Sequence, residues 1–262
     1  MDSTRYGPWC LIAGGSEGLG AAFARTLAAS GINLVLVARK PGPLAEIADE
    51  IRRSSLVTVR TLPLDLSKDD AAEQVKAATA DIEVGLLIYN AGPESRLADF
   101  IDRDPADATD MIARNITAPT VLAHHFGAGM KARGRGGIML VGAVGGYAGG
   151  PGMAIYAASK AFDYILAEGL WYELRPHGVD VLGLVLGATD TPALARIGMR
   201  TDMPGFVAAD PAEVAQEGLD YLGQGPILHT GGAEATAQHL RAMPRAEAVT
   251  LIAQASQAMM KS

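Results

Sequence analysis

What most constrains this chain is a repeated alternation. Seven short apolar runs of strand length are separated by longer stretches, several of them with the period of a helix. The runs are "WCLIAGG" (9–15), "NLVLVAR" (33–39), "VTVRTLPL" (57–64), "VGLLIYN" (84–90), "GIMLVGA" (137–143), "VDVLGLVLG" (179–187) and "PILH" (226–229). Between them, segments such as "AAFARTLAAS" (21–30) and "PLAEIADEIRRS" (43–54) repeat their apolar residues at helical spacing. A strand apolar at consecutive positions is covered on both faces, as happens in a parallel sheet with crossover helices on either side. The expected fold is a single α/β domain, a doubly wound parallel sheet with helices on both faces. No internal repeat or linker divides the 262 residues, a length that suits one domain with a full core.

A formal net charge of −7, with no Lys/Arg run beyond Arg39-Lys40 and Arg52-Arg53, argues against a nucleic-acid partner. No apolar run approaches the roughly 18 residues that a transmembrane helix needs, and the first ten residues hold no signal-peptide core. A membrane partner is not expected. Cys10, the sole cysteine, excludes an intramolecular disulfide, fits a reducing cytoplasm and reads as a small core residue of the first strand. Residues 190–209 are expected to form a substrate lid, in which 196–209 lack a clear period and Ile197, Met199, Met203 and Phe206 are the apolar members. From residue 233 a helical tail is expected. In it Val249, Ile252, Ala255 and Met259 recur at helical spacing, to pack on the body or on a partner subunit. His124 and His125 are adjacent on one helix and do not suit a shared metal, so no metal site is expected.

The first strand runs into "LIAGGSEGLGAAFA", which sets Gly14, Gly18 and Gly20, with Ser16 and Leu19, between a strand and a helix. Such a turn lets backbone approach a pyrophosphate and aims helix N–H groups and the positive dipole end at it. The spacing is G-x-x-x-G-x-G, and its place in a strand–turn–helix unit makes it a Rossmann-type dinucleotide site. The second strand ends "LVARK". An NAD site would offer an acid there to the ribose 2′-hydroxyl; this chain offers Arg39 and Lys40, which suit a 2′-phosphate. The cofactor expected is NADP(H).

Taken with Tyr156-Ala-Ala-Ser-Lys160, these residues resemble the short-chain dehydrogenase/reductase family over nearly the whole chain. "AGGSEGLG" (13–20) is similar to the family's T-G-x-x-x-G-x-G turn, with Ala13 in place of Thr. Asp65, followed by Leu66 in "LDL", matches the aspartate that meets the adenine. Asn90, Ala91 and Gly92 in "YNAG" match N-N-A-G, with Tyr89 replacing the first Asn. Asn115 matches the asparagine of the long interface helix. Gly187, Thr189 and Thr191 in "GATDT" resemble P-G-x-x-x-T, which reaches the nicotinamide carboxamide, with Leu186 where Pro is usual. The resemblance implies carbonyl reduction or alcohol oxidation on a small molecule, and a homodimer or homotetramer. In it Tyr156 is the acid/base, Lys160 tunes the phenol and holds the nicotinamide ribose, and Asn115 supports a water relay. The chemistry is consistent: a phenol titrates near 10, and an ammonium one helical turn away favours its phenolate.

One member is missing. The family's serine, which donates to the substrate oxygen, falls thirteen positions before the tyrosine, and there this chain has Ala143. No Ser or Thr occurs from Ile138 through Ile155; the side-chain hydroxyl in that interval is that of Tyr147. Losing one preorganised donor to a developing oxyanion costs about 10²–10³ in rate. Three readings follow. Tyr147 or a backbone N–H of the glycine-rich loop donates instead; the substrate, such as an imine, needs no second donor; or redox turnover is lost, leaving an NADP-binding regulatory or scaffold protein. A non-redox isomerase or lyase using Tyr156 is a further alternative. Glu94, leaving the fourth strand beside the expected site, is a candidate substrate contact, and Trp171 and Tyr172 are expected at an interface.

Overall fold

The computed structural model describes residues 1–93, 97–198 and 207–260, with side chains described through 257. Seven strands form one sheet: β1 (Trp9–Ala13), β2 (Asn33–Ala38), β3 (Val59–Pro63), β4 (Val84–Tyr89), β5 (Gly136–Ala143), β6 (Val179–Leu186) and β7 (Ile227–Thr230). Their order is β3-β2-β1-β4-β5-β6-β7, and every pairing is parallel. The helices are α1 (Ser3–Tyr6), α2 (Gly18–Ala29), α3 (Pro41–Ser54), α4 (Ala71–Ala78), α5 (Pro105–Ile112), α6 (Ala118–Arg133), α7 (Ala154–Leu174), α8 (Pro192–Arg196), α9 (Pro211–Tyr221), α10 (Ala233–Ala242) and α11 (Arg245–Met260). All seven expected strands are present, and the sheet is the doubly wound one that their apolar runs imply.

Alternation along each strand divides the core between the two faces. Ile12, Leu34, Leu36, Leu86, Ile88 and Met139 meet Phe23 and Leu27 of α2, Leu44 and Ile51 of α3 and Leu219 of α9. Their neighbours Leu11, Val35, Val37, Leu87, Ile138 and Leu140 point the other way, onto Leu122, Phe126 and Met130 of α6 and Ala167 of α7. Cys10 is fully buried in the first of these layers, and burial pushes its thiol up, which makes it a core residue. Local chemistry sets several helix starts. Asp104-Pro105 and Asp210-Pro211 each place a carboxylate acceptor at the N-cap and a proline in the first turn, with Asp104 accepting from Ala106 N at 2.9 Å.

The excursion expected at 190–209 is closed at its base by a parallel bridge between Thr189 and Ala209. It is not wholly irregular: Pro192 starts the short helix α8, a local start signal that the Gly and Pro further on obscure. Ile197 is described; Met199, Met203 and Phe206 lie outside the described residues. The tail forms α10 and α11. Ile252 packs against a third cluster built from Tyr147, Tyr164, Val185, Leu240 and Ala248, whereas Val249 is exposed. Among the described residues no helix is long and apolar enough to cross a membrane.

Candidate active site

The carboxyl ends of β1, β4, β5 and β6 converge on one edge of the sheet. The winding reverses between β1 and β4, the place where open α/β sheets bind ligands. The glycine turn sits there. Gly14 and Gly18 have φ of +81° and +53°, values that L side chains rarely adopt. A Cβ on Gly20 would stand 1.9 Å from Gly14 O, so α2 packs down directly on the turn. Asn90 Nδ2 donates to Gly14 O at 3.0 Å and fixes the turn from β4. Glu17 occupies the N-cap of α2 without a side-chain cap bond, which leaves the first-turn N–H groups for an anion. Leu19 is buried, so backbone rather than side chain faces the cleft. Gly18 lies against Thr191 and Pro192, which brings the start of α8 over the turn, and Arg196 of α8 pairs with Glu17.

Arg39 and Lys40 follow β2 and are exposed. Asp65 lies across from them. Its Oδ1 accepts from Ser67 N and Oγ at 3.1 and 3.0 Å, and its Oδ2 is 3.9 Å from Arg39 Nη1. Burial alone would raise this carboxyl, but the Ser67 bonds, with Arg39 and Lys68, hold it below the usual value. Leu66 is buried beside it. These features fit a dinucleotide: the turn has no room for side chains, the helix end is open, and the β2 edge carries cations. Gly187 also approaches backbone closely, since a Cβ there would stand 2.2 Å from Gly231 O; Thr189 is buried with its hydroxyl on Gly187 O at 3.3 Å.

Tyr156 lies in the first turn of α7, half-buried, and Lys160 Nζ is 5.9 Å from its ring centroid. The lysine is 6 % exposed, and Nζ donates to Val141 O at 2.8 Å and to Asp163 Oδ2 at 2.9 Å. Burial would lower the ammonium, but the Asp163 carboxylate and the Tyr156 phenol outweigh it and hold Lys160 above its ordinary value. Ala91 follows β4, and Gly92 has φ of +119° with no room for a Cβ against the Asn115 amide.

Asn115 is 1 % exposed and sits in a π-helical turn, Ala113–Thr117, between α5 and α6. Its Nδ2 donates to Gly92 O at 3.2 Å and to Ser159 Oγ at 3.0 Å, and its Oδ1 accepts from Arg114 Nε at 3.3 Å. The side chain thus ties the β4 loop to α7. Its backbone carbonyl is another matter. Pro119, four residues on, has no N–H to close the usual helical bond to it. π-Turns of this kind recur at functional sites.

Ala143 ends β5 opposite Leu186 of β6, and the short helical turn that follows (Val144–Tyr147) presses on α7, with Gly146 against Lys160 and Ala161 backbone. The turn after Ala143 therefore borders the backbone of Lys160. Tyr147 needs a correction as a substitute donor. Its ring is buried and stacks on Tyr164, and its hydroxyl lies 2.9 Å from His229 Nε2 and 3.3 Å from Arg241 Nη2. β7 and α10 capture this phenol, through pairings 82 and 94 residues apart that the sequence does not announce. Trp171 is half-buried against the core while Tyr172 is exposed, and Arg175 lies over both rings. Glu94 lies outside the described residues. Asp163 and the Glu17–Arg196 pair were not singled out from the sequence. An acid three residues after Lys160 was visible, but such pairs are common on exposed helix faces.

Fold and site together define a dinucleotide-binding oxidoreductase of the doubly wound α/β class. The sequence profile of the short chain dehydrogenase family matches residues 8–201. A 7beta-hydroxysteroid dehydrogenase of Clostridium sardiniense is 35% identical over 222 residues, covering 84% of each chain. A solved 7beta-hydroxysteroid dehydrogenase structure superposes with a TM-score of 0.88 at 30% identity, covering 95% of this chain and 98% of that one. A short-chain dehydrogenase from Sphingobium yanoikuyae, solved in complex with NADPH, gives 0.78 at 31% identity, covering 88% and 92%. The chain belongs to the short-chain dehydrogenase family and is an NAD(P)-dependent oxidoreductase.

Proposed function

We propose that this protein is an NADP(H)-dependent reductase of a carbonyl on a hydrophobic small molecule of the hydroxysteroid kind, or the dehydrogenase of the corresponding alcohol. The observation that carries the reading is the convergence of Tyr156, Lys160 and the Asn115 turn on the sheet edge that holds the glycine turn. The steroid class is supported by the relatives that act on 7beta-hydroxysteroids. Gly14, Ser16, Gly18, Leu19 and Gly20 would hold the pyrophosphate through backbone, Asp65, Leu66, Asn90, Ala91 and Gly92 the adenosine side and the floor of the cleft, and Gly187, Thr189 and Thr191 the carboxamide. Arg39 and Lys40 would take the 2′-phosphate. When bound, the nicotinamide dinucleotide supplies or accepts the hydride.

The chain's own part is the proton. Tyr156 Oη donates it to the carbonyl oxygen in reduction and removes it from the hydroxyl in oxidation. Lys160 has three N–H donors, and two are held by Val141 O and Asp163 Oδ2, which would leave one for the ribose. The Asn115 carbonyl, without its usual helical donor, would anchor a water through which the proton is replaced. With Tyr147 engaged by the tail, the second donor to the substrate oxygen falls to loop N–H groups after Ala143, or is not required. The alanine also favours a second reading, an NADP-binding protein without redox turnover.

The test is NADPH oxidation with 7-oxosteroids, 3-oxoacyl thioesters and cyclic imines for wild type, Ala143→Ser and Tyr156→Phe. Turnover by wild type that Tyr156→Phe cuts by about 10²–10⁴ supports the reading. Turnover unchanged in Tyr156→Phe sinks it. Turnover in Ala143→Ser alone favours the second reading. A homodimer or homotetramer is also proposed, supported by the apolar outer strip of α7, with Phe162, Leu166 and Leu170 around an Ile165 that is 59% exposed. Light scattering at the monomer mass would contradict it.

A further inference from the structure

We propose that Asp163 is a positioning residue of the Tyr156–Lys160 pair: its buried carboxylate aims the lysine and balances its charge, so that the phenol is kept as a proton donor. The proposal rests on the acid/base reading of Tyr156 given above and adds a residue that the Y-x-x-x-K spacing does not contain.

Asp163 is 3 % exposed, and its Oδ2 lies 2.9 Å from Lys160 Nζ, one turn back on the same face of α7. With Val141 O on the opposite strand, the carboxylate fixes two of the three ammonium hydrogens and so the direction of the third. Burying a carboxylate here is not a device for stability. A buried ion pair is often replaced by apolar groups without loss, and Ala167, one turn further along the same face of α7, shows what this face of the helix accepts.

The charge matters because of what stands beside it. A lone ammonium 5.9 Å from the Tyr156 ring favours phenolate. With a carboxylate in contact, the field reaching the phenol shrinks from that of a charge to that of a dipole. Among the described residues, the other groups acting on Lys160 do not restore it. Tyr89 from β4 is fully buried and held protonated by burial and by Asp163, and its hydroxyl donates to Arg114 O. Arg114, from the π-turn, is the remaining cation acting on Lys160, and it opposes the lysine's protonation. β5 presents only the Val141 carbonyl. Burial raises the Asp163 carboxyl above its ordinary value against the pull of Lys160, and the 2.9 Å contact between Asp163 Oδ2 and Lys160 Nζ is the geometry of an ion pair. Tyr156 is therefore held as the acid, which suits carbonyl reduction over alcohol oxidation.

The experiment compares pH profiles of both reaction directions for wild type, Asp163→Asn and Asp163→Glu. Asn keeps the size and an acceptor but removes the charge. It is expected to move the phenol-dependent limb of alcohol oxidation toward lower pH by about one unit or more, the size of an unbalanced neighbouring charge. Glu keeps the charge and is expected to hold the limb at its wild-type position. A purely structural role would lower kcat or thermal stability at every pH and leave the limb in place, and that result overturns the proposal. Wild type supplies a reading that does not depend on either variant folding. Phenolate absorbance of Tyr156, taken as wild type minus Tyr156→Phe without cofactor, is expected to stay absent below about pH 8. Phenolate already formed below about pH 8 overturns the proposal as well. The two readings fail separately: turnover lost in Tyr156→Phe with an unmoved limb in Asp163→Asn removes only the role of Asp163. An inactive wild type removes the oxidoreductase reading and leaves the absorbance titration to decide Asp163.

Discussion

Replacing Arg39 by alanine should separate the two nicotinamide cofactors. The guanidinium stands at the end of β2 with its side chain 62% exposed, and its ionic neighbour is Asp65 Oδ2 at 3.9 Å. So long and exposed a contact contributes no more than about 1 kcal/mol, so the fold is expected to survive with a stability change within about 0.5 kcal/mol. A charged donor on a phosphate contributes about 1.5–3 kcal/mol, and exposure places Arg39 at the lower end. At 1.4 kcal/mol per tenfold, the Kd for NADPH should rise about 10- to 30-fold. NADH has no 2′-phosphate and should change by less than about twofold. Asp65 adds to the contrast, because its carboxyl, held below the usual value, stays charged near the phosphate once Arg39 is gone. Calorimetric titration of each cofactor, at two salt concentrations, measures this without turnover, and the wild-type preference for NADPH should shrink as salt rises. Equal losses for NADPH and NADH, or a wild type that prefers NADH, would refute the assignment of Arg39 to a 2′-phosphate.

A second expectation concerns the tail. Burial and Arg241 lower the His229 imidazole below its ordinary value, and Glu234, paired with its Nδ1, does not reverse this. The unfolded chain takes up that proton near pH 6.5 and the folded one only below it. Stability is therefore fully present above about pH 6.5 and is lost as pH falls through the lower folded value. The thermal midpoint should drop more steeply between pH 7 and 5 in wild type than in His229→Gln. Parallel curves would show that His229 does not set the acid sensitivity of the tail's attachment.

The parts legible in the sequence are those fixed by neighbours along the chain. Apolar runs identified all seven strands, most plainly the inner ones, because burial on both faces of a parallel sheet leaves no polar alternation there, whereas the edge strand β3 alternates. The glycine turn was legible because positive φ at Gly14 and Gly18 and close packing at Gly20 demand glycine whatever the rest of the fold does. Tyr156 and Lys160 lie one turn apart on one helix, so their meeting is a matter of helical geometry.

Other features depend on contacts that no local rule contains. The phenol of Tyr147 looked available until β7 brought His229 to it and α10 laid Arg241 over its ring. Glu17 meets Arg196 across 179 residues because α8 crosses the glycine turn. Asp163 shows the division most clearly. The sequence alone determined that an acid follows Lys160 by three residues, and on a solvated helix that pair would matter little. Only the packing of α7 beneath β5 decided that both charges are buried with the Val141 carbonyl for company. Water no longer screens them there, and the pair acts on the phenol beside it.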